Sequence, residues 1–266
     1  MPRLMATDEN QVINIPGPGN FQFSGTRIEN LGASEYTLYG SVFDLSGSVE
    51  SFAPQILNCQ QSIIGSLLKS PRSANLLHRV LGFNQRVFEI HGFKELSSIN
   101  PADYAYDNSG SVNPGGYVFP RPNGMTALYD ATFDAVGAIL EYAIRMGKQD
   151  FDDINAIVAI VTDGLDNRSK VSPRDIKQKI DEAKQAESLE SILTILVALN
   201  DPGSPYSQNV VGELTKFQVE AGIDQFVDIG DATPQKLAKL ANFVSQSVSS
   251  QSQALGTGAP SQILAF

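Results

Sequence analysis

The run INAIVAIVTDG, residues 154–164, decides the fold class of this chain. From Ile154 to Thr162 it is apolar at almost every position rather than at alternate ones. A strand patterned this way buries both faces, as a central strand does in a parallel sheet covered by helices. It then breaks at Thr162-Asp163-Gly164, residue types that take a chain out of a strand into a turn.

Working outward, strand-like and helix-like segments alternate. Downstream, Ser172-Pro173 opens a helix, with Ser as N-cap, Pro at the first helical position and Asp175 in the first turn. Ile176, Ile180, Ala183 and Ala186 form its inner face, and Ser191–Leu199 (SILTILVAL) is a second central strand. Tyr206, Val210, Leu214 and Phe217 mark a further helix, Asp224–Ile229 a strand, and Thr233-Pro234 the start of a last helix through Leu237, Leu240 and Val244.

Upstream, Thr126 opens a helix with Leu128, Ala131, Ala135, Ile139, Tyr142 and Met146 on one face. Tyr36–Phe43, which includes Gly40 and Ser41, is a strand ending at Asp44. Phe52, Ile56, Cys59, Ile63 and Leu67 follow at helical spacing. Ala74–Leu81 reads as a short helix and Arg86–Phe93 as a strand. Lys94–Gly124, rich in Asn, Pro, Gly and Tyr, reads as a long loop with a short edge strand at Tyr117–Phe119. The expected fold is therefore α/β: a doubly wound, mostly parallel central sheet with helices on both faces.

Three spans are expected. Residues 1–34 form an N-terminal extension, with Phe21–Ile28 as an edge strand or hairpin; residues 35–248 form the α/β domain; residues 249–266 form an uncharged tail. Ser245–Ser252, mostly Ser and Gln, reads as a frayed helix end leading into that tail. The apolar Ile263–Phe266 is expected to pack on its own domain or to stay disordered, with docking on a partner as the lesser reading.

In such sheets ligands bind where strand ends meet loops. Three fragments fall there: Asp44-Leu45-Ser46-Gly47-Ser48, Asn123-Gly124-Met125-Thr126 and Thr162-Asp163-Gly164. Singly, each has a plain alternative, since Ser48 and Thr126 suit helix N-caps and Asp163-Gly164 suits a turn. Together, Asp44, Ser46, Ser48, Thr126 and Asp163 offer two carboxylates and three hydroxyls on one sheet edge. An all-oxygen set suits a hard divalent cation, Mg²⁺ first, with Mn²⁺ or Ca²⁺ as alternatives.

These elements, in this order, resemble the metal-ion-dependent adhesion site of von Willebrand factor A domains, and the resemblance spans roughly Glu35–Val248. It implies that Ser46 and Ser48 ligate the metal directly, that Thr126 joins them when a partner is engaged, and that Asp44 and Asp163 act mostly through water. It also implies a protein partner that donates a Glu or Asp carboxylate. Among cytoplasmic relatives, an AAA-type ATPase or a larger assembly is a plausible source. The long 94–124 loop departs from a minimal domain, so partner contacts there do not carry over.

Composition fits this expectation. Nineteen Lys+Arg against 29 Asp+Glu give a net charge of −10, which disfavours nucleic acid. A single Cys excludes a disulfide framework and a thiolate zinc cage. Met1–Asn10 lacks the apolar core of a signal peptide, and no stretch approaches the roughly 18 apolar residues of a membrane span. A cytoplasmic setting is expected. Within the acidic whole, Arg168, Lys170, Arg174, Lys177 and Lys179 against Asp175 make a locally basic segment. It is either a solvated helix face or a surface that steers an acidic partner.

Enzyme readings are weaker. D-x-S-x-S is similar to the haloacid dehalogenase phosphoryl-transfer pattern, but Ser46 stands where that family has a second Asp. A metal-assisted phosphoester hydrolase using Asp44 remains the alternative. His78 and His91 fall in helical and strand-like runs and read as structural, Cys59 reads as a core thiol, and no phosphate-binding G-x-x-x-x-G-K-[ST] occurs.

Overall fold

A computed structural model describes residues 9–107, 116–149, 151, 153–199, 207–230, 233–257 and 264–266. At its centre lie the two strands that end at the candidate carboxylates, β3 (Glu35–Asp44) and β8 (Asp153–Thr162), paired in parallel from Glu35↔Asp153 to Phe43↔Val161. Beyond β8 come β9 (Ser191–Leu199) and β10 (Gln225–Gly230), both parallel. On the other side of β3 lie β4 (Leu76–Phe83), parallel, and β5 (Val87–Glu95), antiparallel to β4. An antiparallel hairpin, β1 (Asn10–Ile15) and β2 (Phe21–Thr26), completes an 8-stranded sheet in the order β1-β2-β5-β4-β3-β8-β9-β10. The chain leaves β3 towards β4 and later returns to its other side as β8. The strand order thus reverses between β3 and β8, where the crevice of a doubly wound sheet opens.

Helices cover both faces. α2 (Leu128–Gly147), α3 (Pro173–Gln185) and α4 (Ser207–Ala221) lie over a core that includes Leu38, Val42, Ile139, Val158 and Ile176. α1 (Ala53–Leu67) and α5 (Pro234–Thr257) lie over a second core with Tyr39, Phe43, Ile63, Ile157 and Val244. Residues of β3 and β8 alternate between these two cores, which is why the 154–162 run has to be apolar throughout. The α3 start forms as expected: Ser172 Oγ accepts from the Asp175 N–H at 3.3 Å, and the Asp175 carboxylate accepts from the Ser172 N–H at 2.8 Å. Among the described residues no helix is long and apolar enough to cross a membrane.

Two expectations are corrected. Ala74–Leu81 is not a helix; Leu76–Phe83 is strand β4, buried along its whole length. Leu76, Leu77, Val80 and Leu81 mimic a helical stripe because His78 and Arg79 between them, polar yet buried, look like a solvent face. Nor does the last helix fray at Ser245–Ser252. α5 runs to Thr257, with Ser245, Ser247, Gln251 and Ser252 buried. Arg72 Nε donates to Ser252 Oγ at 3.1 Å and Asn155 Nδ2 to the Gln251 carbonyl at 2.9 Å, so these two groups have partners inside the fold.

Within Lys94–Gly124, β6 (Tyr104–Tyr106) and β7 (Tyr117–Phe119) pair in parallel as a separate ribbon. The chain end packs on its own domain. The Leu264 carbonyl accepts from Gln225 Nε2 at 2.7 Å, and the Phe266 ring stands edge-on to Phe243 at 5.4 Å. Tyr206 and Ile263 lie outside the described residues.

Candidate functional site

β3 delivers Asp44 to the carboxyl edge of the sheet, where the chain turns into a 3₁₀ segment over Gly47–Phe52. The Ser46 N–H donates to Asp44 Oδ1 at 2.8 Å, curling the D-x-S-x-S loop back on its own carboxylate. The Ser46 and Ser48 hydroxyls are then 3.0 Å apart, and Ser48 Oγ donates to Asp163 Oδ1 at 2.7 Å across to the end of β8. Thr126, at the amino end of α2, completes the group. A Cβ placed on Gly164 would lie 3.5 Å from Thr126 Oγ1, 3.7 Å from Ser48 Oγ and 3.9 Å from Asp44 Oδ2. All five expected residues therefore gather around one small space, which Gly164 leaves open.

Neither plain alternative describes these hydroxyls. Ser48 bonds Asp163 instead of capping a helix, and the N-cap of α2 is Ala127 rather than Thr126. Thr126 Oγ1 has no hydrogen bond among the described residues, although the residue is buried.

Burial raises the Asp44 carboxyl above its ordinary range, opposed by hydrogen bonds from Thr162 and Ser46. Asp163 is pushed up to about 7, first by burial and then by the Asp44 charge, with Ser48 acting against both. Two carboxylates thus share a partly desolvated space with hydroxyl oxygens and no basic side chain of their own. A cation there would relieve both the repulsion and the desolvation. The donor set also fits one: oxygens only, few formal charges, and room where a side chain is missing.

Several positioning residues escape sequence reading. Thr162 Oγ1 donates to Asp44 Oδ2 at 2.6 Å, locking the carboxylate from the neighbouring strand. The loop after β8 also caps α2 from outside the helix. Asn167 Oδ1 accepts from the Thr126 N–H at 2.9 Å, Asp166 Oδ1 from Tyr129 at 3.2 Å, and Ser169 Oγ from Asp130 at 2.9 Å. These satisfy N–H groups that a helix start leaves orphaned, and they tie the position of Thr126 to the Asp163 turn. The available signal is the run Asp166-Asn167-Arg168-Ser169, rich in cap-forming side chains although α3 downstream has its own cap in Ser172.

The remaining chemistry-bearing residues lie elsewhere. Cys59 is a buried thiol, pushed up to about 12 by desolvation. His78 and His91 are buried in β4 and β5. The basic segment divides. Lys177 pairs with Asp181 at 2.9 Å and Lys179 with Glu182 at 2.6 Å along α3, whereas Arg168 and Lys170 stay exposed in the loop beside Thr126.

No family model matches the chain, and no curated protein sequence matches it. Solved structures do. A point mutant of the PilB minor pilin from Streptococcus sanguinis matches with a TM-score of 0.54 at 13% identity, over 88% of this chain and 66% of the pilin. The pilus adhesin SpaC from Lactobacillus rhamnosus GG matches with a TM-score of 0.53 at 9% identity, over 91% of this chain and 35% of the adhesin. Proximal thread matrix protein 1 from the mussel byssus, solved with a zinc occupied MIDAS motif, matches with a TM-score of 0.50 at 16% identity, over 81% of this chain and 46% of that one. The chain thus spans only part of each of these proteins. At such identities the likeness is one of fold: a von Willebrand factor A-like, doubly wound α/β sheet.

Proposed function

We propose that this chain is a divalent-cation-dependent protein-binding module whose partner supplies a Glu or Asp carboxylate. One observation carries the proposal: Asp44, Ser46, Ser48, Thr126 and Asp163, drawn from three separate stretches, converge on the space left by Gly164. Ser46, Ser48 and Thr126 would hold the cation through hydroxyl oxygens, and Asp44 and Asp163 through bridging water. Mg²⁺ is the ion this donor set suits best, and the zinc occupied motif of the thread matrix protein supports the coarser idea of a divalent ion. When bound, the ion supplies an electrophilic centre for a carboxylate from outside. Neutral hydroxyls among its ligands leave it electron-poor enough to take one.

The residues of this chain do the positioning. Thr162 and the Ser46 N–H fix both oxygens of Asp44, and Asn167 fixes the backbone of Thr126. Asp44 is fully buried, which argues against its use as a nucleophile on a phosphoester. The pilus proteins and the thread matrix protein are structural or adhesive by name, which supports a binding role over turnover. An AAA-type ATPase or another large assembly carrying an exposed acidic residue would serve as partner.

Affinity capture with and without chelator tests the reading, comparing wild type with Asp44→Ala and Ser46→Ala. Partners retained by wild type in Mg²⁺ and lost in all other samples support it. Partners retained regardless of chelator and substitution overturn it. Hydrolysis of a generic phosphoester, abolished by Asp44→Asn, would establish the hydrolase in its place.

A further inference from the structure

A cleft of about 940 Å³ opens beside the candidate site, within the size range of ligand clefts. Both of its walls are tied to the residues around Thr126. Gln85, on one wall, accepts from the Met125 N–H at 3.3 Å through Oε1. Arg168, on the other, directly follows Asn167, which holds the Thr126 N–H.

The charges along this cleft are unevenly spent. Its three acids are engaged by the protein's own donors. Glu89 accepts from the Ser24 N–H at 3.0 Å and from Arg79 Nε at 2.8 Å. Asp134 accepts from Arg79 Nη2 at 2.8 Å, and Asp130 from the Lys170 and Val171 N–H groups at 2.8 and 3.0 Å. The bases are not engaged in the same way. Arg86, Arg168 and Lys170 are exposed and make no ion pair among the described residues. Arg79, buried and lining the cleft, spends Nε and Nη2 on its carboxylates and leaves Nη1 without a hydrogen bond among the described residues. Four bases line the cleft against three acids, so in a chain of net charge −10 it is locally positive, with Arg86, Arg168 and Lys170 as its exposed members.

We propose that this cleft takes an extended acidic segment of the protein partner, with carboxylates flanking the metal-bound one set on Arg86, Arg168 and Lys170. The proposal rests on the metal-dependent reading above and names its partner class more narrowly. Phe21, Val87 and Phe88 contribute an apolar part of the lining, against which the methylene stems of Glu side chains can pack. A short acidic peptide meets only this local patch, whereas a long polyanion such as nucleic acid also meets the repulsion of the acidic whole. Guanidinium forks also match carboxylates in bidentate geometry, so the arginines add orientation as well as charge.

Fluorescence anisotropy in Mg²⁺ with two labelled peptides tests this. One carries a central Asp flanked by several Glu and Asp residues, the other the same Asp in a Gly/Ser background. Wild type is compared with Arg86→Glu/Arg168→Glu/Lys170→Glu, and Mg²⁺ affinity is measured separately on both proteins. Wild type should bind the acidic peptide about tenfold more tightly or better, an advantage that shrinks with salt. The triple variant should lose that advantage and keep its Mg²⁺ affinity. Equal binding of the two peptides by wild type, an advantage that survives the triple substitution, or tighter binding of a single-stranded oligonucleotide would each overturn the cleft assignment. If chelator leaves acidic-peptide binding unchanged while the triple variant abolishes it, the cleft stands and the metal-dependent reading fails.

Discussion

Two polar clusters sit on the same strand, β3, and differ in whether they leave room for another group. Asp44 ends the strand at the candidate site. Ser41, three positions earlier, bonds His78 Nε2 at 2.9 Å within a buried group that includes His91 and Tyr104. In that group His91 Nδ1 donates to the Gly92 carbonyl at 2.8 Å, and Nε2 accepts from the Tyr104 hydroxyl at 2.7 Å. Burial holds the His78 imidazole well below its usual range and His91 at about 3. These rings, the usual ligands and bases of proteins, are neutral, partnered and closed in. At the candidate site the hydroxyl of Thr126 makes no hydrogen bond among the described residues, Gly164 leaves space, and burial raises both carboxyls although each accepts hydrogen bonds. What marks the candidate site here is open space lined by oxygens, rather than a reactive residue type.

The sharpest way to break this contrast is Asp44→Asn. The amide keeps the shape but removes a charge, so cation affinity should fall by about 100-fold or more with the fold intact. Calorimetric titration with Mg²⁺ measures it, and an unchanged affinity would remove Asp44 from the site.

Acid titration should separate the two clusters by sign. An unfolded histidine takes up its proton below about 6.5, and folded His91 only near 3, so its contribution to stability is lost as pH falls across that window. Folded Asp163 takes up its proton near 7 against 3.8 unfolded, so its contribution is present at low pH and is lost as pH rises through 7. In chelator, His91→Phe should therefore flatten the acid-side loss by up to about 1.4 kcal/mol per pH unit. Asp163→Asn should steepen it, and saturating Mg²⁺ should erase the effect of Asp163. Urea melts from pH 4 to 8 read all three, and changes of slope in the same direction for both variants, relative to wild type, would contradict the contrast.

Tyr104→Phe leaves His91 Nε2 without its partner and should cost about 1–2 kcal/mol in urea unfolding while leaving cation affinity alone. A smaller effect is expected from Asn167→Ala, which frees the backbone of Thr126. Mg²⁺ affinity should weaken about fivefold, with little change in melting. A stability loss without any loss of affinity would make that loop a helix cap alone.

Sequence legibility follows the same division. The residues of the candidate site were readable because each lies next to the strand end or helix start that places it: Asp44 closes an apolar run, Asp163 closes another, and Thr126 precedes a strong helical stripe. β4 reads locally as a helix because His78 and Arg79 depend on partners outside the segment, Ser41, Glu89 and Asp134, which no local period reveals. The tail of α5 reads as frayed for the same reason, since Gln251 and Ser252 are held by Asn155 and Arg72. The cleft beside the site was half legible. Arg168 and Lys170 stood out as basic, but Arg86 joins them only through the β4–β5 turn.

The most direct test is a Mn²⁺ titration followed by the EPR signal of the free ion, on wild type and on Ser46→Ala/Ser48→Ala. The double substitution removes two hydroxyl oxygens without touching the sheet core, and circular dichroism checks that the fold is kept. A hydroxyl-and-carboxylate site predicts one ion bound per wild-type chain and none per double variant at the same concentrations. Wild type that leaves Mn²⁺ free up to millimolar concentration, or a double variant that binds as wild type does, would contradict it.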